Sequence, residues 1–120
     1  MSAYTLTPSE SKFADLVWTN EPLTSAELVR LSEGEMKWKK STTFTVLKKL
    51  CEKGIFKNEN AIVSSVLNRE QYYSAQSRRY VEDSFEGSLP KFIAAFTSGG
   101  KLNESQIEEL KRLIDTYSED

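Results

Sequence analysis

The chain has 120 residues, 38% apolar and 28% charged, which suits one modest domain or a small domain with an appended arm. With one cysteine and no histidine, it can have no internal disulfide and has no plausible zinc site or histidine-based catalysis, so we expect no metal, no cofactor and no enzyme activity. No run reaches the roughly 18 apolar residues of a membrane span, and the first residues do not resemble a signal peptide, so we expect a cytoplasmic protein without membrane insertion.

Three helices are predicted in the first half of the chain. The sequences "TPSE" from residue 7 and "TSAE" from residue 24 both have the pattern of a capping box, which marks the start of a helix. A third helix is expected from about Lys40 to Lys53, and Gly54 is well placed as the left-handed residue that ends it.

A hairpin is predicted after the third helix. The short β-prone runs "IFKNEN" and "AIVSSVLN" are separated by a polar tip at Asn58, Glu59 and Asn60. Three helices followed by a hairpin is the order of a winged helix. The expected fold class is therefore mostly α with a small β-hairpin, with a winged helix-turn-helix domain over residues 1–67 and a helical region over residues 68–120.

Three more amphipathic helices are predicted after residue 68. Asn68 with Gln71 and Asn103 with Gln106 form capping pairs, and "GSLPKFIAAF" restarts the chain between them. Their apolar stripes can be buried against a second protomer or by folding back on the first domain, and a second protomer is the more economical solution. The expected dimerisation residues are Tyr73, Val81, Phe85, Leu89, Phe92, Ile93, Phe96, Ile107, Leu110 and Ile114.

Positive charge is concentrated around the third helix. The window from Lys37 to Lys57 holds seven lysines and one glutamate, for a net charge of +6. Because the whole chain carries −2, the other 99 residues sum to −8. A basic patch on an acidic protein is expected where one face meets phosphate, although a solvated lysine-rich helix face gives the same count.

A helical wheel divides the third helix into two faces. Its apolar face is expected to be core and consists of Thr43, Val46, Leu47, Leu50 and Cys51, which favours a buried hydrophobic role for Cys51 over redox sensing. The opposite face carries Ser41, Thr45, Lys48 and Glu52. Short hydroxyl side chains let a helix approach base edges, and nearby lysines can reach phosphates.

The segments "LTPSESKFADLVW", "MKWKKSTTFTVLKKLCEKG" and "KLNESQIEELKRLI" resemble the penicillinase-repressor (BlaI/MecI/CopY) family of bacterial winged-helix regulators. This resemblance implies a homodimeric repressor that binds palindromic operators in double-stranded DNA. Its third helix would lie in the major groove, and its carboxy-terminal helices would form the dimer. The DNA-binding residues expected on this basis are Lys39, Lys40, Ser41, Thr42, Phe44, Thr45, Lys48, Lys49 and Lys57.

Several positions depart from the family pattern, Lys39, Lys40 and Ser41 among them. Penicillinase members have an arginine where Phe44 stands, and the phenylalanine ring could contact a thymine methyl or pack beside Cys51. Members that are paired with a membrane sensor-protease are cleaved at an Asn-Phe bond that aligns with Ala95 and Phe96, so cleavage of this bond is a hypothesis for release from the operator. The acidic tip of the hairpin leaves Lys57 as the main cationic contact of the wing.

Two other functions compete with the repressor. A winged helix can serve as a protein-interaction module whose lysine-rich face meets an acidic protein. An enzyme has least support, because none of the carboxylates and lysines stands isolated in an apolar setting that would adjust its pKa.

Overall fold

The structure, a computed structural model, describes residues 5–119. Its helices and strands are α1 (Pro8–Asn20), β1 (Leu23–Thr24), α2 (Ser25–Met36), α3 (Lys40–Glu52), β2 (Phe56–Glu59), β3 (Ile62–Ser65), α4 (Arg69–Phe85), α5 (Leu89–Ser98) and α6 (Glu104–Tyr117). The strands form one antiparallel sheet in the order β1-β3-β2. The predicted fold class is confirmed. Across residues 5–119, no helix is both long enough and apolar enough to cross a bilayer.

The predicted helix starts are confirmed by reciprocal capping bonds. At α1, the Thr7 hydroxyl accepts the Glu10 N–H at 3.2 Å, and the Glu10 carboxylate accepts the Thr7 N–H at 2.9 Å. The same box opens α2 at Thr24 and Glu27, and asparagine–glutamine pairs open α4 and α6. These bonds satisfy backbone donors that a helix end otherwise leaves unpaired.

The first compact unit, which ends at Tyr80, contains a continuous hydrophobic core. Phe13 and Val17 of α1, Leu28 of α2 and Leu50 of α3 are fully buried in it. Each such side chain stabilises the fold by about 1.5–3 kcal/mol relative to exposure. Together these side chains fix the three helices against one another.

The hairpin is confirmed, but its predicted tip is correct only at Asn60. Asn58 and Glu59 belong to β2, and the turn consists of Asn60 and Ala61, whose φ values are 55° and 63°. Two positive φ values match the two-residue turn that suits the twist of a hairpin. The sequence also did not predict β1, a two-residue strand whose Leu23 pairs with Val63 of β3.

The start of α4 belongs to the first unit. Tyr72 is 1% exposed and its ring lies 5.5 Å from that of Trp18, whose indole N–H donates to the Leu67 carbonyl at 3.0 Å. Arg69 pairs with Asp15 at 3.1 Å. The division between the compact units falls within α4, after Tyr80. The functional boundary after residue 67 stays a prediction.

The second unit begins at Val81 and contains α5 and α6. Phe92 lies between Phe85 and Phe96, with ring centroids 5.5 and 6.2 Å away. A groove of about 300 Å³ runs between α5 and α6, lined mainly by apolar side chains that include Phe96, Leu110 and Leu113. Neither helix has a fully buried side chain.

Candidate nucleic-acid interface

The turn before α3 fixes how this helix begins. Lys37 adopts a left-handed conformation with φ 60°, and its N–H donates to the Glu33 carbonyl at 3.2 Å, which ends α2. The next residue, Trp38, stacks on Phe13 of α1 at 5.5 Å. This aromatic contact connects the entry to α3 with the core of the first unit.

The two faces of α3 are arranged as the helical wheel predicts. Thr43, Leu47 and Leu50 are buried, and Val46 and Cys51 are partly buried against the core. The predicted solvent-facing residues are all exposed, and they are Ser41, Thr42, Thr45, Lys48 and Glu52. The core contacts of α3 therefore leave its hydroxyl-bearing face open to a large ligand.

The amino-terminal end of α3 is open and basic. Its N-cap residue is Lys39, which makes no side-chain capping bond. Among the helices within residues 5–119, the others all have a side chain that accepts a backbone N–H at this end. Lys39 and Lys40 are exposed beside these uncapped N–H groups, and both features attract anions.

The hydroxyl groups on α3 differ in their availability. The Thr45 hydroxyl donates to the Ser41 carbonyl at 2.9 Å, so its proton is engaged, while its oxygen keeps lone pairs that can accept and the residue is exposed. Thr43 makes the equivalent bond to the Lys39 carbonyl at 3.2 Å but is buried. Thr45 can thus accept a hydrogen bond from a base or contact a methyl group.

Lys49 differs from its neighbour Lys48, because its ammonium group is paired. The Lys49 Nζ lies 2.7 Å from the Glu10 Oε2, and the Glu10 side chain is only 6% exposed. Lys53 lies 3.8 Å from the other Glu10 oxygen and donates to the Thr5 carbonyl at 3.0 Å. Sequence reasoning assigned Glu10 to helix capping only and missed this second role.

The ionisation of Glu10 reflects opposing influences. Burial alone raises the pKa of the carboxyl group because it disfavours the charged form. The hydrogen bonds from Lys49 and from the Thr7 N–H, together with the charge of Lys53, outweigh burial and hold the Glu10 pKa below its ordinary value. The carboxylate is therefore ionised and paired at neutral pH.

The wing has little free positive charge. On β2, Lys57 pairs with Glu59 at 3.2 Å, and both side chains are exposed. Within residues 5–119, the lysines of the basic window that form no ion pair are Lys37, Lys39, Lys40 and Lys48. All four lie on α3 or on the turn that precedes it. The lysines without an ion-pair partner in this part of the chain therefore occupy a shorter segment than the whole lysine-rich window.

Phe44 occupies a position between the two roles left open by the sequence. Its side chain is 36% exposed and lines a shallow groove between α3 and β2 together with Leu47, Lys48, Cys51 and Asn58. One side of the ring can contact this groove while its exposed part remains accessible. Burial, followed by the charge of Glu52, raises the pKa of the Cys51 thiol, which favours the unreactive thiol.

The predicted dimerisation residues lie in both compact units. Tyr73 belongs to the first, where its ring lies 6.2 Å from that of Trp18 and remains 46% exposed. The others belong to α4 beyond Tyr80, α5 and α6. Of these, Leu89, Phe96, Ile107 and Ile114 are exposed within their unit.

One comparison with known proteins gives a match. The sequence model described as "Penicillinase repressor" matches residues 6–116, which is nearly the whole chain. Among curated proteins, none matches the chain. The matched region covers most of each compact unit and every residue of α3.

Proposed function

Because the chain belongs to the penicillinase repressor family, we propose that it represses transcription as a homodimer bound to a palindromic DNA operator, in the bacterial cytoplasm. The observation that carries this proposal is the open, hydroxyl-bearing face of α3, flanked by lysines that form no ion pair with any residue from 5 to 119. A helix of this kind fits the major groove of B-DNA, which is about 12 Å wide.

Base contacts are assigned to the amino-terminal half of α3. Ser41, Thr42 and Thr45 are exposed there and are short enough for the helix axis to approach base edges. Because Thr45 already donates its hydroxyl proton to Ser41, we assign it to accept from an adenine or cytosine amino group or to contact a thymine methyl. The exposed part of Phe44 modulates the sequence preference.

Phosphate contacts are assigned mainly to Lys39, Lys40 and Lys48, with Lys37 beside them. These four lysines per protomer would neutralise about eight phosphates in a dimer, for a slope of log K against log salt near −7. Lys49 and Lys57, also predicted as phosphate contacts, have carboxylate partners and would contribute less.

The dimer is assigned to the carboxy-terminal helices. Leu89 and Phe96 on α5 and Ile107 and Ile114 on α6 present apolar side chains that the second unit does not cover. A second copy with the same faces would remove them from water, and two-fold symmetry of the protein would match a palindromic operator.

Release from the operator by a membrane sensor-protease remains a proposal. The Ala95-Phe96 bond lies inside α5, where both residues are exposed. Because a protease binds its substrate in an extended form, cleavage requires local unfolding of α5. Detection of intact chain in induced cells that have lost repression would exclude this route.

Selection of bound sequences from a random duplex library tests the proposed function. Purified protein is mixed with the library at about 150 mM salt, and bound duplexes are recovered and sequenced. We expect enrichment of a palindrome with half-sites about one helical turn apart or a multiple of this spacing. Absence of enrichment, with retained binding to an acidic protein, would instead identify an interaction module.

A further inference from the structure

Glu10 lies behind the DNA-binding face and controls how much of its charge is available. We propose that Glu10 withholds Lys49 and Lys53 from nucleic-acid phosphate and thereby confines the positive charge of the interface to the amino-terminal half of α3 and the preceding turn. This inference rests on the proposed DNA binding. It gives Glu10, a residue of α1 that would not touch DNA, a positioning role in recognition.

The geometry places one carboxylate against two lysines. Glu10 Oε2 lies 2.7 Å from Lys49 Nζ, and Glu10 Oε1 lies 3.8 Å from Lys53 Nζ. Lys49 and Lys53 are four positions apart, so they lie one turn from each other along one side of the helix. Lys53 is also held by the Thr5 carbonyl. The carboxylate thus links the start of α1 to the carboxy-terminal end of α3.

The burial of Glu10 decides whether Lys49 pairs with this carboxylate or with a phosphate. The Glu10 side chain is 6% exposed, whereas that of Lys49 is 55% exposed. If Lys49 turned to a phosphate, the Glu10 carboxylate would keep only the Thr7 N–H and the more distant Lys53, in a place that water cannot easily reach. Weakening the pairing of a buried charge in this way is unfavourable. An exposed phosphate contact contributes much less. Lys49 therefore remains with Glu10 when duplex approaches.

The withheld charge affects the affinity for every duplex. Lys49 and Lys53 lie beyond the hydroxyl-bearing residues, towards the end of α3. Free ammonium groups there would strengthen binding to any duplex, because non-specific affinity is almost entirely electrostatic. Their neutralisation lowers the affinity for operator and random duplex alike without removing a base contact, so base contacts supply a larger share of the operator affinity.

The chain contains a matched control for Glu10. Glu27 occupies the equivalent position in the capping box of α2 and accepts the Thr24 N–H at 3.1 Å. It is exposed, and within residues 5–119 it has no lysine or arginine at ion-pair distance. Glu27→Gln therefore removes a capping carboxylate alone, whereas Glu10→Gln also releases two lysines.

The test measures binding of the full chain to a random duplex as a function of salt. For Glu10→Gln we expect a slope steeper than wild type by about 1.8 to 3.6 per dimer, since each freed lysine adds about 0.9 per protomer. Random-duplex affinity should rise on the order of tenfold or more at about 150 mM salt. Glu27→Gln should keep the wild-type slope. A folded Glu10→Gln protein with an unchanged slope would overturn the inference.

A second pair of variants decides the matter if Glu10→Gln does not fold. Lys48→Gln and Lys49→Gln each remove one exposed lysine from neighbouring positions, and circular dichroism checks their folding. Lys48→Gln should make the slope shallower by about 1.8 per dimer, and Lys49→Gln by less than half of this. Equal changes would refute withholding by Glu10. Wild-type protein that binds no duplex would overturn the proposed function, and this inference with it.

Discussion

The two compact units differ in how completely they bury their apolar side chains. In the first unit, α1, α2 and α3 all contribute fully buried residues to one core that also includes Ile55 and Val63 from the sheet region. Between residues 81 and 119, no side chain reaches full burial. The apolar stripes of the second unit are as regular as those of the first, but their own unit covers them only in part.

This difference determines which unit can hold its local structure without a partner. The first unit buries enough apolar surface to hold α3 in place, so the exposed, hydroxyl-bearing face of α3 does not depend on a partner for its local geometry. The second unit leaves Ile114 66% exposed and Tyr117 78% exposed. Patches of this kind mark interaction surfaces, and we infer that the stability of the second unit is linked to dimerisation.

Introducing a charge into the uncovered surface should have a large effect on dimerisation. Ile114→Glu should weaken the dimer by about 2–4 kcal/mol, because the carboxylate would lose its hydration at the interface. Sedimentation should show a monomer at concentrations where wild type is a dimer. The matched control is Ser105→Glu, which lies nine positions away and thus on the opposite side of α6. Dimerisation of Ile114→Glu at wild-type concentrations would contradict the assigned interface.

A charge at Phe92 should produce a different result from one at Ile114. Phe92 is partly buried between two aromatic rings of its own unit, so Phe92→Glu should reduce the helix content as well as the dimer population. Ile114→Glu should lose only the dimer at temperatures well below unfolding. Comparing the two by circular dichroism and sedimentation separates packing within the unit from packing between copies.

Truncation of a core residue should affect the first unit at every protein concentration. Leu50 is fully buried in α3, and Leu50→Ala should lower the free energy of unfolding by about 2–5 kcal/mol. Denaturant titrations over a hundredfold range of protein concentration should give the same loss for the transition of this unit. The transition of the second unit should instead move to higher denaturant as concentration rises. If the transition of the second unit does not depend on protein concentration, the proposed difference between the two units is contradicted.

The sequence predicted local features well. The capping pairs at α1, α2, α4 and α6 join residues only three positions apart, so short sequence patterns are enough to identify them. The two faces of α3 also follow from its period. The strand β1 was missed because a two-residue strand has no recognisable pattern of its own and forms only by pairing with β3.

The charge of the interface could not be predicted from counting. The lysine-rich window has a net charge of +6, but Lys49 and Lys53 meet a glutamate about forty positions earlier in the chain. Only the packing of α1 against α3 brings these groups together. The exposed hydroxyls of Ser41 and Thr45 were predictable because they require only the helix period.

The first unit should also respond to pH through Glu10. The Glu10 pKa is lowered in the folded state. Its contribution to the free energy of unfolding is therefore fully present above the unfolded pKa near 4.5 and is lost as pH falls through the folded pKa. The free energy of unfolding of wild type should exceed that of Glu10→Gln by about 1–3 kcal/mol at neutral pH. Urea titrations should show this gap closing in acid. Glu27→Gln, which changes an exposed carboxylate, should show a weaker dependence, and an equal one would remove the distinction between these glutamates.

The smallest effect should come from a surface residue of the first unit whose proposed role is confined to DNA binding. Thr45 is exposed, so Thr45→Ala should leave the unfolding transition of this unit almost unchanged. Binding to the selected operator should weaken by about 1 kcal/mol or more, since a base contact or a methyl contact is lost. Binding to a random duplex should change much less, because the lysines that contact phosphate remain. Equal losses on both duplexes, measured at one salt concentration, would show that Thr45 supports contact with the DNA backbone and does not read the sequence.

The hydrogen bond from the Thr45 hydroxyl to Ser41 allows a further distinction. Thr45→Val keeps the branched shape and the methyl group but replaces the hydroxyl, and its acceptor oxygen, with a second methyl group. Operator affinity retained by valine and lost by alanine would identify a methyl contact, whereas equal losses for both variants would identify the hydroxyl oxygen as the group that accepts from a base.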